Sequence, residues 1–411
     1  MPHGTLIIGA SQAGLQIATS LRDLGYEAPI TLLGAEALAP YQRPPLSKGY
    51  VMGKDTAASL AFRAPAFYAD RGIDLITGKT AAVIDRAARR ITTQDGAVYP
   101  YDHLALTTGA RVRRPPIPGL EAQGVRTLRD LADAQAIKDD LASCEDVVVI
   151  GGGFIGLEVA AVAAKLGRKV TVLEAQERLM ARAIAPEVSA FYASAHRKRG
   201  ITVELNVRID KVMAEHGRAT GVLLADGRKF PAQLVILGAG VAPNMELAQA
   251  AGLACNGGID VDDCARTADS RIVAAGDCAS QPHAFANGAM IRLESVQNAI
   301  DQAKAAAAAI LGRSEPNDGP PWFWSDQGDL RLQIAGLSGG YDQTVRRGDP
   351  ESEAFSLFYY RAGKFIAADS VNKPTDHVVS RKLLELGLPL APEIAADMSV
   401  NLKSLLKARA A

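Results

Sequence analysis

The segment from Val147 to Glu174 constrains the fold more than any other part of the chain. A short β-branched run ends in a turn that contains Gly151, Gly153 and Gly156, an Ala-rich stretch follows, and a second apolar run closes on Glu174. This order predicts a strand, a turn, a helix and a second strand. The first glycine permits a tight turn, the second lets the backbone approach a pyrophosphate, and the third lets helix and strand pack closely. The sequence therefore predicts a dinucleotide-binding fold.

The acid that ends this segment indicates which dinucleotide it binds. Glu174 follows the last glycine at the distance where a carboxylate accepts hydrogen bonds from both ribose hydroxyls and repels a 2′-phosphate. This favours NADH over NADPH. Arg178 and Arg182 lie just beyond. They are either ligands of a 2′-phosphate or, as we interpret them, surface or diphosphate-facing groups.

The same pattern occurs near the start of the chain, from Thr5 to Leu33. Its turn begins at Gly9 and ends at Gly14, so two dinucleotide-binding folds are expected in one chain. Ser11 stands at the second glycine position, where its hydroxyl is expected to reach a phosphate oxygen.

The acid of this first unit is displaced. Gly34 and Ala35 occupy the positions where a carboxylate is expected, and Glu36 follows. Glu36 is therefore either a ribose ligand or a solvated loop acid.

A proline-rich loop, Tyr41 to Lys48, comes next. Its two prolines stiffen the backbone, so Arg43 and Lys48 are held in a way that suits a large planar ligand. The alternative is a proline turn with two surface cations.

Further along, the sequence predicts several separate pieces. Residues from Leu75 to Tyr101 alternate apolar and polar and predict a small meander. A proline linker at 115–119 is the predicted domain crossing. We predict a first nucleotide domain at 1–113 and 244–320, a second at 114–243, and an α+β domain at 321–411. The predicted fold class is α/β, with two Rossmann-like domains and a C-terminal α+β domain.

Composition excludes several functions. The chain of 411 residues has a formal net charge of zero, so no global field would hold nucleic acid or an anionic membrane. Its longest apolar stretch is interrupted by glycines and by Glu158, so no membrane span is expected. With no secretory signal ahead of the strand at Thr5, we expect a cytoplasmic location. The four cysteines and six histidines show no metal-ligand spacing, so we predict no metal site and no dithiol relay.

The two glycine turns occur together with several further motifs. These are TTGA at Thr107 to Ala110, AAGDCA late in the chain, YQRPPLSKGY, RLESVQNA and WFWSDQ. Over essentially the whole chain, they resemble the FAD-dependent, NADH-linked ferredoxin reductases, specifically the putidaredoxin-reductase-like branch. That branch includes reductase components of bacterial cytochrome P450 and aromatic dioxygenase systems.

The resemblance implies a role for individual residues. FAD is expected on the first fold, where Glu36 takes the ribose contact that an acid at the position of Ala35 usually makes. The implied FAD ligands are Gly9, Ser11, Ala13, Gly14, Glu36, Arg43, Lys48, Ala81, Thr108, Gly109, Arg129, Gly276, Asp277 and Val296. The implied NADH ligands are Gly151, Gly153, Ile155, Gly156, Glu174 and Gly240.

Three residues are implied in electron transfer. Lys48, near the flavin, is expected to pair with Glu158 and to stabilise the reduced ring. The sequence alone also allows a second interpretation, in which Glu158 only interacts favourably with the positive end of its helix dipole. Asp277, which is not one of these three, is either a ribitol ligand or a strand-to-helix cap. Trp324 is expected near the flavin where ferredoxin docks, or is a tryptophan buried in the tail domain.

The implied reaction passes a hydride from NADH to FAD and then single electrons to a [2Fe-2S] ferredoxin. That ferredoxin would serve a cytochrome P450 or a dioxygenase, and the reductase is expected to be a monomer or weak dimer. Because such ferredoxins are usually acidic, a basic docking patch is expected. Its candidates are Lys304, Lys373, Arg381, Lys382 and Lys403.

Two other functions use the same scaffold. An NADH oxidase or disulfide reductase needs a redox cysteine near the flavin, and the chain has no cysteine before Cys144. A redox-responsive flavoprotein of the apoptosis-inducing-factor type would usually carry added basic or disordered segments, and the sequence shows no low-complexity region.

Overall fold

Both predicted strand-turn-helix units form. In the computed structural model, which describes residues 3–407 except the side chain of Lys407, strand Asp146–Ile150 leads through the glycine turn into helix Phe154–Lys165. Strand Lys169–Leu173 then lies parallel to the first strand. Because both faces of such a sheet are covered, its strands are continuous apolar runs.

The chain divides into two compact units. One contains the chain through Gln42, Leu60–Arg111 and Ala242–Pro321, and the other contains Arg43–Ser59, Val112–Val241 and the chain from Trp322 onward. Short strands Ala110–Val112 and Val241–Pro243 include two of the five points where the chain passes from one unit to the other. The three domain boundaries drawn from the sequence stay a prediction.

The first unit is built on a five-stranded parallel sheet. Its spatial order is Ile272–Ala274, His103–Leu106, Thr5–Ile8, Ile30–Leu33 and Ile73–Ile76. Helices Gln12–Asp23 and Val296–Ile310 pack together on one face, where small alanine side chains allow a close approach. The unit also contains helices Ala66–Asp70 and Glu246–Ala250 and the 3₁₀ turn Ala284–Ala286. Its smaller sheets are Ala81–Asp85, Arg90–Thr93 and Val98–Pro100, and Ile259–Asp260, Ala279–Pro282 and Met290–Ile291.

The second unit repeats this architecture. Its parallel sheet has the order Thr202–Glu204, Lys169–Leu173, Asp146–Ile150, Leu234–Leu237 and Val125–Arg126. A meander of Ile209–Glu215, Arg218–Leu224 and Lys229–Pro231 packs in the same apolar cluster as one face of the sheet. The helices are Leu131–Ser143, Phe154–Lys165 and Pro186–Lys198, with the 3₁₀ turn Pro44–Ser47. Helix Ala57–Leu60 lies where the chain returns to the first unit.

The C-terminal part of the second unit is an antiparallel sheet with helices. The strand order is Trp322–Gln327, Leu330–Gly336, Lys364–Val371, Ala354–Arg361 and Gln343–Asp349. Helices Pro374–Glu385, Pro392–Ala396 and Ser404–Lys407 and the 3₁₀ turn Pro350–Ser352 complete it. The predicted α/β class with a C-terminal α+β part is confirmed.

One sequence prediction places a strand wrongly. Leu75 was assigned to the meander, but strand Ile73–Ile76 pairs with Ile30–Leu33 in the parallel sheet. The meander itself begins at Ala81, after Gly78 turns the chain with a φ of 70°. Alternation of apolar and polar residues cannot show which sheet a strand joins, because both kinds of edge strand have the same period.

No helix among residues 3–407 is both long enough and apolar enough to cross a bilayer.

The C-terminal sheet encloses an acid. Asp369 is fully buried, and Tyr359 donates a hydrogen bond to its Oδ2 while accepting one from the backbone N–H of Ala185 at 3.1 Å. Its Oδ1 has no hydrogen-bond partner among the described residues. Burial disfavours the charged form and raises the pKa of Asp369 to about 7.

Asp369→Asn should therefore change how stability depends on pH. Between pH 3.8 and about 7 the folded carboxyl holds a proton that the unfolded one has lost, so rising pH lowers the free energy of unfolding by about 1.4 kcal/mol per pH unit. The full penalty is present above that window and absent below it. Urea titrations across pH 4 to 8 should show the variant gaining stability relative to the unmodified protein as pH rises. Parallel pH profiles would contradict the assignment.

Candidate nucleotide and electron-transfer sites

The second glycine turn has the geometry of a phosphate cradle. Gly151 has a φ of 105°, and a Cβ on Gly156 would lie 2.4 Å from the Gly151 carbonyl oxygen. A Cβ on Gly153, by contrast, would meet nothing within 4 Å. Two of the glycines are thus required by the protein's own packing. Gly153 instead faces open space at the start of helix Phe154–Lys165, where backbone N–H groups favour an anion.

Glu174 lies at the edge of this turn. Its Oε2 accepts a hydrogen bond from the Gly152 N–H at 2.6 Å, and its Oε1 accepts one from the Gln176 N–H at 2.7 Å. The carboxylate is therefore oriented beside the cradle, where it would repel a 2′-phosphate. Arg178 makes hydrogen bonds within the protein: its guanidinium donates to the carbonyls of Ala181 and Ile184 at 2.6 Å.

The other two predicted NADH residues lie in the same unit. Ile155 is 45 % exposed in the first turn of the helix. Gly240 has a φ of 84°, and a Cβ there would lie 3.6 Å from an Arg182 guanidinium nitrogen.

The first glycine turn matches the second in backbone geometry. Gly9 has a φ of 115°, and a Cβ on Gly14 would lie 2.0 Å from the Gly9 carbonyl oxygen. Ser11, at the position equivalent to Gly153, is the N-cap of helix Gln12–Asp23. Thr107, which the sequence did not single out, places its Oγ1 2.9 Å from the carbonyl oxygens of Ile8 and Gly9.

Gly276 is brought against this turn. A Cβ on Gly276 would lie 3.2 Å from the Cβ of Ala13, and the Gly276 N–H donates to Oε1 of the buried Gln302 at 2.8 Å. Asp277 follows, half-buried, with its carbonyl accepting from Arg292 at 3.1 Å. Val296 is the first residue of the helix that carries Gln302. The sequence did not predict a role for Gln302, because a single glutamine in an Ala-rich helix belongs to no recognisable motif.

Glu36 is held within the first unit. Tyr41 donates its hydroxyl to Glu36 Oε2 at 2.5 Å, and Glu36 is half-buried whereas Ala35 is exposed. Ala81 begins the meander, half-buried, opposite Thr93.

Thr108 and Gly109 are tied to Asn244. The Thr108 hydroxyl donates to the Asn244 carbonyl at 2.6 Å, the Asn244 side chain donates to the Thr108 carbonyl at 2.9 Å, and the Asn244 N–H donates to the Gly109 carbonyl at 2.9 Å. These bonds fix the backbone of the TTGA segment.

In the second unit the proline loop meets two other segments. Arg43 donates to the carbonyl of Arg129 at 2.5 Å, so the two predicted arginines lie together. Lys48 Nζ lies 2.6 Å from Glu158 Oε2, with side-chain exposures of 22 % and 5 %. The ion pair that the resemblance implied is therefore present, and it is partly desolvated.

Trp324 lies in strand Trp322–Gln327 and is half-buried rather than fully buried. Its ring is 5.5 Å from that of Trp322, and the Arg381 guanidinium lies 4.2 Å from the Trp322 ring centroid. Among the other basic candidates, Lys304 and Lys382 are exposed and lie 3.8 Å from Asp301 and 3.0 Å from Glu385, whereas Lys373 is half-buried and Lys403 exposed.

One cluster of possible metal ligands occurs among the described residues. Asp262, Asp263 and Cys264 place one ligand atom each within 4.8 Å of one another, and both aspartates are exposed. Acidic surface groups of this kind are common without a metal, so the cluster supports no metal site.

The donor sets fit dinucleotides. Each unit offers a tight turn whose first and third glycines touch the protein itself, and the second turn adds open space and an oriented carboxylate. FAD and a pyridine nucleotide both carry the diphosphate that such turns bind.

Comparison with known proteins shows the family. Residues 3–303 match the pyridine nucleotide-disulphide oxidoreductase family and residues 322–406 the reductase C-terminal family. The chain is 46 % identical to rhodocoxin reductase of Rhodococcus erythropolis, over 97 % of this chain and 93 % of that protein.

Two solved structures match over almost the full length. One is the ferredoxin reductase for the CYP199A2 system from Rhodopseudomonas palustris, with a TM-score of 0.95, 45 % identity and coverage of 98 % of this chain and 99 % of that one. The other is the covalent putidaredoxin reductase–putidaredoxin complex, with a TM-score of 0.96, 39 % identity and 99 % coverage of both chains. The predicted resemblance is confirmed: the chain belongs to the pyridine nucleotide-disulphide oxidoreductase family, whose members use FAD and NAD(P)H, and it carries the C-terminal domain of the ferredoxin reductases.

Proposed function

We propose that this protein is an NADH-dependent ferredoxin reductase that uses FAD and delivers single electrons to a [2Fe-2S] ferredoxin. The observation that carries the proposal is the pair of matching glycine turns in one chain, followed by a reductase C-terminal domain. Bound FAD would supply the chemistry that side chains lack, since a flavin accepts a hydride and releases electrons singly.

The second turn would hold NADH. Gly153 leaves room for the pyrophosphate, and the start of helix Phe154–Lys165 would favour its negative charge. Glu174 would accept hydrogen bonds from the ribose hydroxyls. Ile155 and Gly240 are the remaining proposed contacts.

The first unit would hold FAD through Gly9, Gly14 and the Ser11 hydroxyl, with Asp277 at the ribitol. The other proposed ligands keep the roles that the resemblance implied. Lys48 would supply a fixed cation where negative charge builds up on reduction, because Glu158 holds its ammonium group at 2.6 Å.

The ferredoxin partner is supported by the relatives, one of which was solved with putidaredoxin attached. We further propose that the ferredoxin serves a cytochrome P450 or a dioxygenase and that it docks near Trp324. The cytoplasmic location and the monomer or weak dimer stay predictions from the sequence.

Two glycine substitutions should separate packing from binding. Gly156→Ala should lower the free energy of unfolding by about 1–3 kcal/mol, since its Cβ would crowd a carbonyl oxygen. Gly153→Ala should change the free energy of unfolding by no more than about 0.5 kcal/mol yet weaken NAD⁺ binding, because its methyl group enters the open space. Chemical denaturation and calorimetric titration with NAD⁺ measure the two effects. Unchanged NAD⁺ affinity in Gly153→Ala would place the pyrophosphate elsewhere.

Glu174→Gln should relax the choice of nucleotide. The amide keeps an acceptor oxygen but removes the charge that repels a 2′-phosphate, so the ratio of kcat/KM for NADH to that for NADPH should fall about tenfold, or about 1.4 kcal/mol. Glu177→Gln, an exposed neutralisation nearby, should leave the ratio unchanged. The same fall in both variants would indicate a general effect of charge.

The overall function is tested by spectroscopy and turnover. The purified protein should be yellow, NADH should bleach the flavin bands more readily than NADPH, and NADH-driven cytochrome c reduction should become rapid only when putidaredoxin is added. A colourless protein that takes up no FAD would refute the proposal. Slow reduction with a long-lived charge-transfer complex would instead favour a redox-responsive flavoprotein.

A further inference from the structure

Glu158 has more partners than Lys48. The Glu158 residue is 4 % exposed, and its Oε2 also accepts the Ser47 hydroxyl at 2.5 Å. Its Oε1 accepts the Ser325 hydroxyl at 2.7 Å. Both carboxylate oxygens are therefore bonded, as a buried charge requires.

The hydrogen bonds continue beyond Ser325. Gln327 Nε2 lies 3.3 Å from Ser325 Oγ, and Gln327 Oε1 lies 2.8 Å from His196 Nε2. His196, Ser325 and Gln327 are all fully buried. A chain of buried polar groups thus joins helix Pro186–Lys198 to Glu158 through strand Trp322–Gln327.

The hydrogen bonds of this network all run in one direction from donor to acceptor. Ser325 donates its only hydroxyl hydrogen to the carboxylate, so it accepts from the Gln327 amide. The Gln327 oxygen then faces His196 and accepts from Nε2–H, which fixes the tautomer of the ring. Burial lowers the pKa of His196, which favours the neutral ring.

The strand separates two sets of side chains. Successive residues of a strand point to opposite faces, so Phe323, Ser325 and Gln327 share one face. Phe323 packs against Phe154 at 4.6 Å between ring centroids, which places this face against the helix that carries Glu158. Trp322 and Trp324 lie on the other face.

We propose that Ser325, Gln327 and His196 are positioning residues that orient the Glu158 carboxylate and, through it, the Lys48 ammonium. Lysine has a flexible stem, so the direction of its charge depends on the groups that hold the ammonium. The nearest of these is Glu158 Oε2 at 2.6 Å, and the Pro44 carbonyl oxygen at 3.1 Å and the Ser47 hydroxyl at 3.2 Å also lie within hydrogen-bond distance. The effect of these residues on electron transfer rests on the function proposed above. Their hydrogen bonds, and the position they give to Lys48, do not depend on that function.

The test uses two matched serines of the C-terminal sheet. Ser325→Ala removes a donor to Glu158, and Ser356→Ala removes a fully buried hydroxyl that donates to Asp376 at 3.0 Å. In the FAD-loaded protein, Ser325→Ala should slow flavin reduction at saturating NADH about tenfold, the effect of leaving one oxygen of a buried carboxylate without a donor. The KM for NADH should stay unchanged, and Ser356→Ala should keep the unmodified rate.

A readout independent of turnover follows the Lys48 side chain itself. Its NMR signal in isotopically labelled protein, assigned with Lys48→Met, should move in Ser325→Ala and stay in place in Ser356→Ala. In a Glu158→Gln background, Ser325→Ala should slow reduction little further, because both changes act through one carboxylate.

Equal behaviour of the two serine variants, or full additivity with Glu158→Gln, would overturn the positioning role. If NADH does not reduce the unmodified protein, the proposed function fails and the Lys48 signal alone decides. A moved signal in Ser325→Ala then supports the positioning role, and an unmoved one overturns it.

Discussion

A buried carboxylate is the constraint on which the second unit depends. Glu158 sits near the start of a helix at 4 % exposure, where an unpaired charge would be expensive. Its donors come from Ser47 and Lys48, more than a hundred residues earlier, and from Ser325, far later in the chain. Loss of any one donor would leave the buried Glu158 carboxylate with fewer hydrogen bonds than its charge requires. The hydrogen bonds to Glu158 therefore stabilise the packing of the proline loop and the C-terminal strand against the nucleotide fold.

The two glycine turns show how one backbone geometry can be adapted to two ligands. In each, the first glycine has a positive φ and the last touches the carbonyl oxygen of the first. The turns differ where the protein does not need the glycine for itself: Ser11 replaces the glycine equivalent to Gly153. They differ again directly after the second strand, where one has Glu174 and the other has Gly34 followed by Ala35. Under the proposed assignment of the two nucleotides, the residues that would distinguish them stand where the backbone of the turn does not require glycine.

Local patterns in the sequence were enough to predict both strand-turn-helix units and the fold class, whereas the Lys48–Glu158 pair was implied only by the family resemblance. Thr107, Gln302, Gln327 and His196 were not predicted. Each acts by a hydrogen bond to a residue distant in sequence, and a lone threonine, glutamine or histidine carries no spacing that shows its partner. The strand at Leu75 was misplaced for a related reason, since periodicity gives the face of a strand but not its neighbour.

The cysteines explain why a member of a family named for disulphide chemistry should send its electrons elsewhere. A redox thiol must ionise easily, but burial raises the pKa of all four cysteines, Cys144, Cys255, Cys264 and Cys278. Each is free. None of the four is therefore suited to relay electrons between a flavin and a disulfide. In the C-terminal strand, alternation puts Ser325, which donates to Glu158, on one face and leaves the two tryptophans on the other.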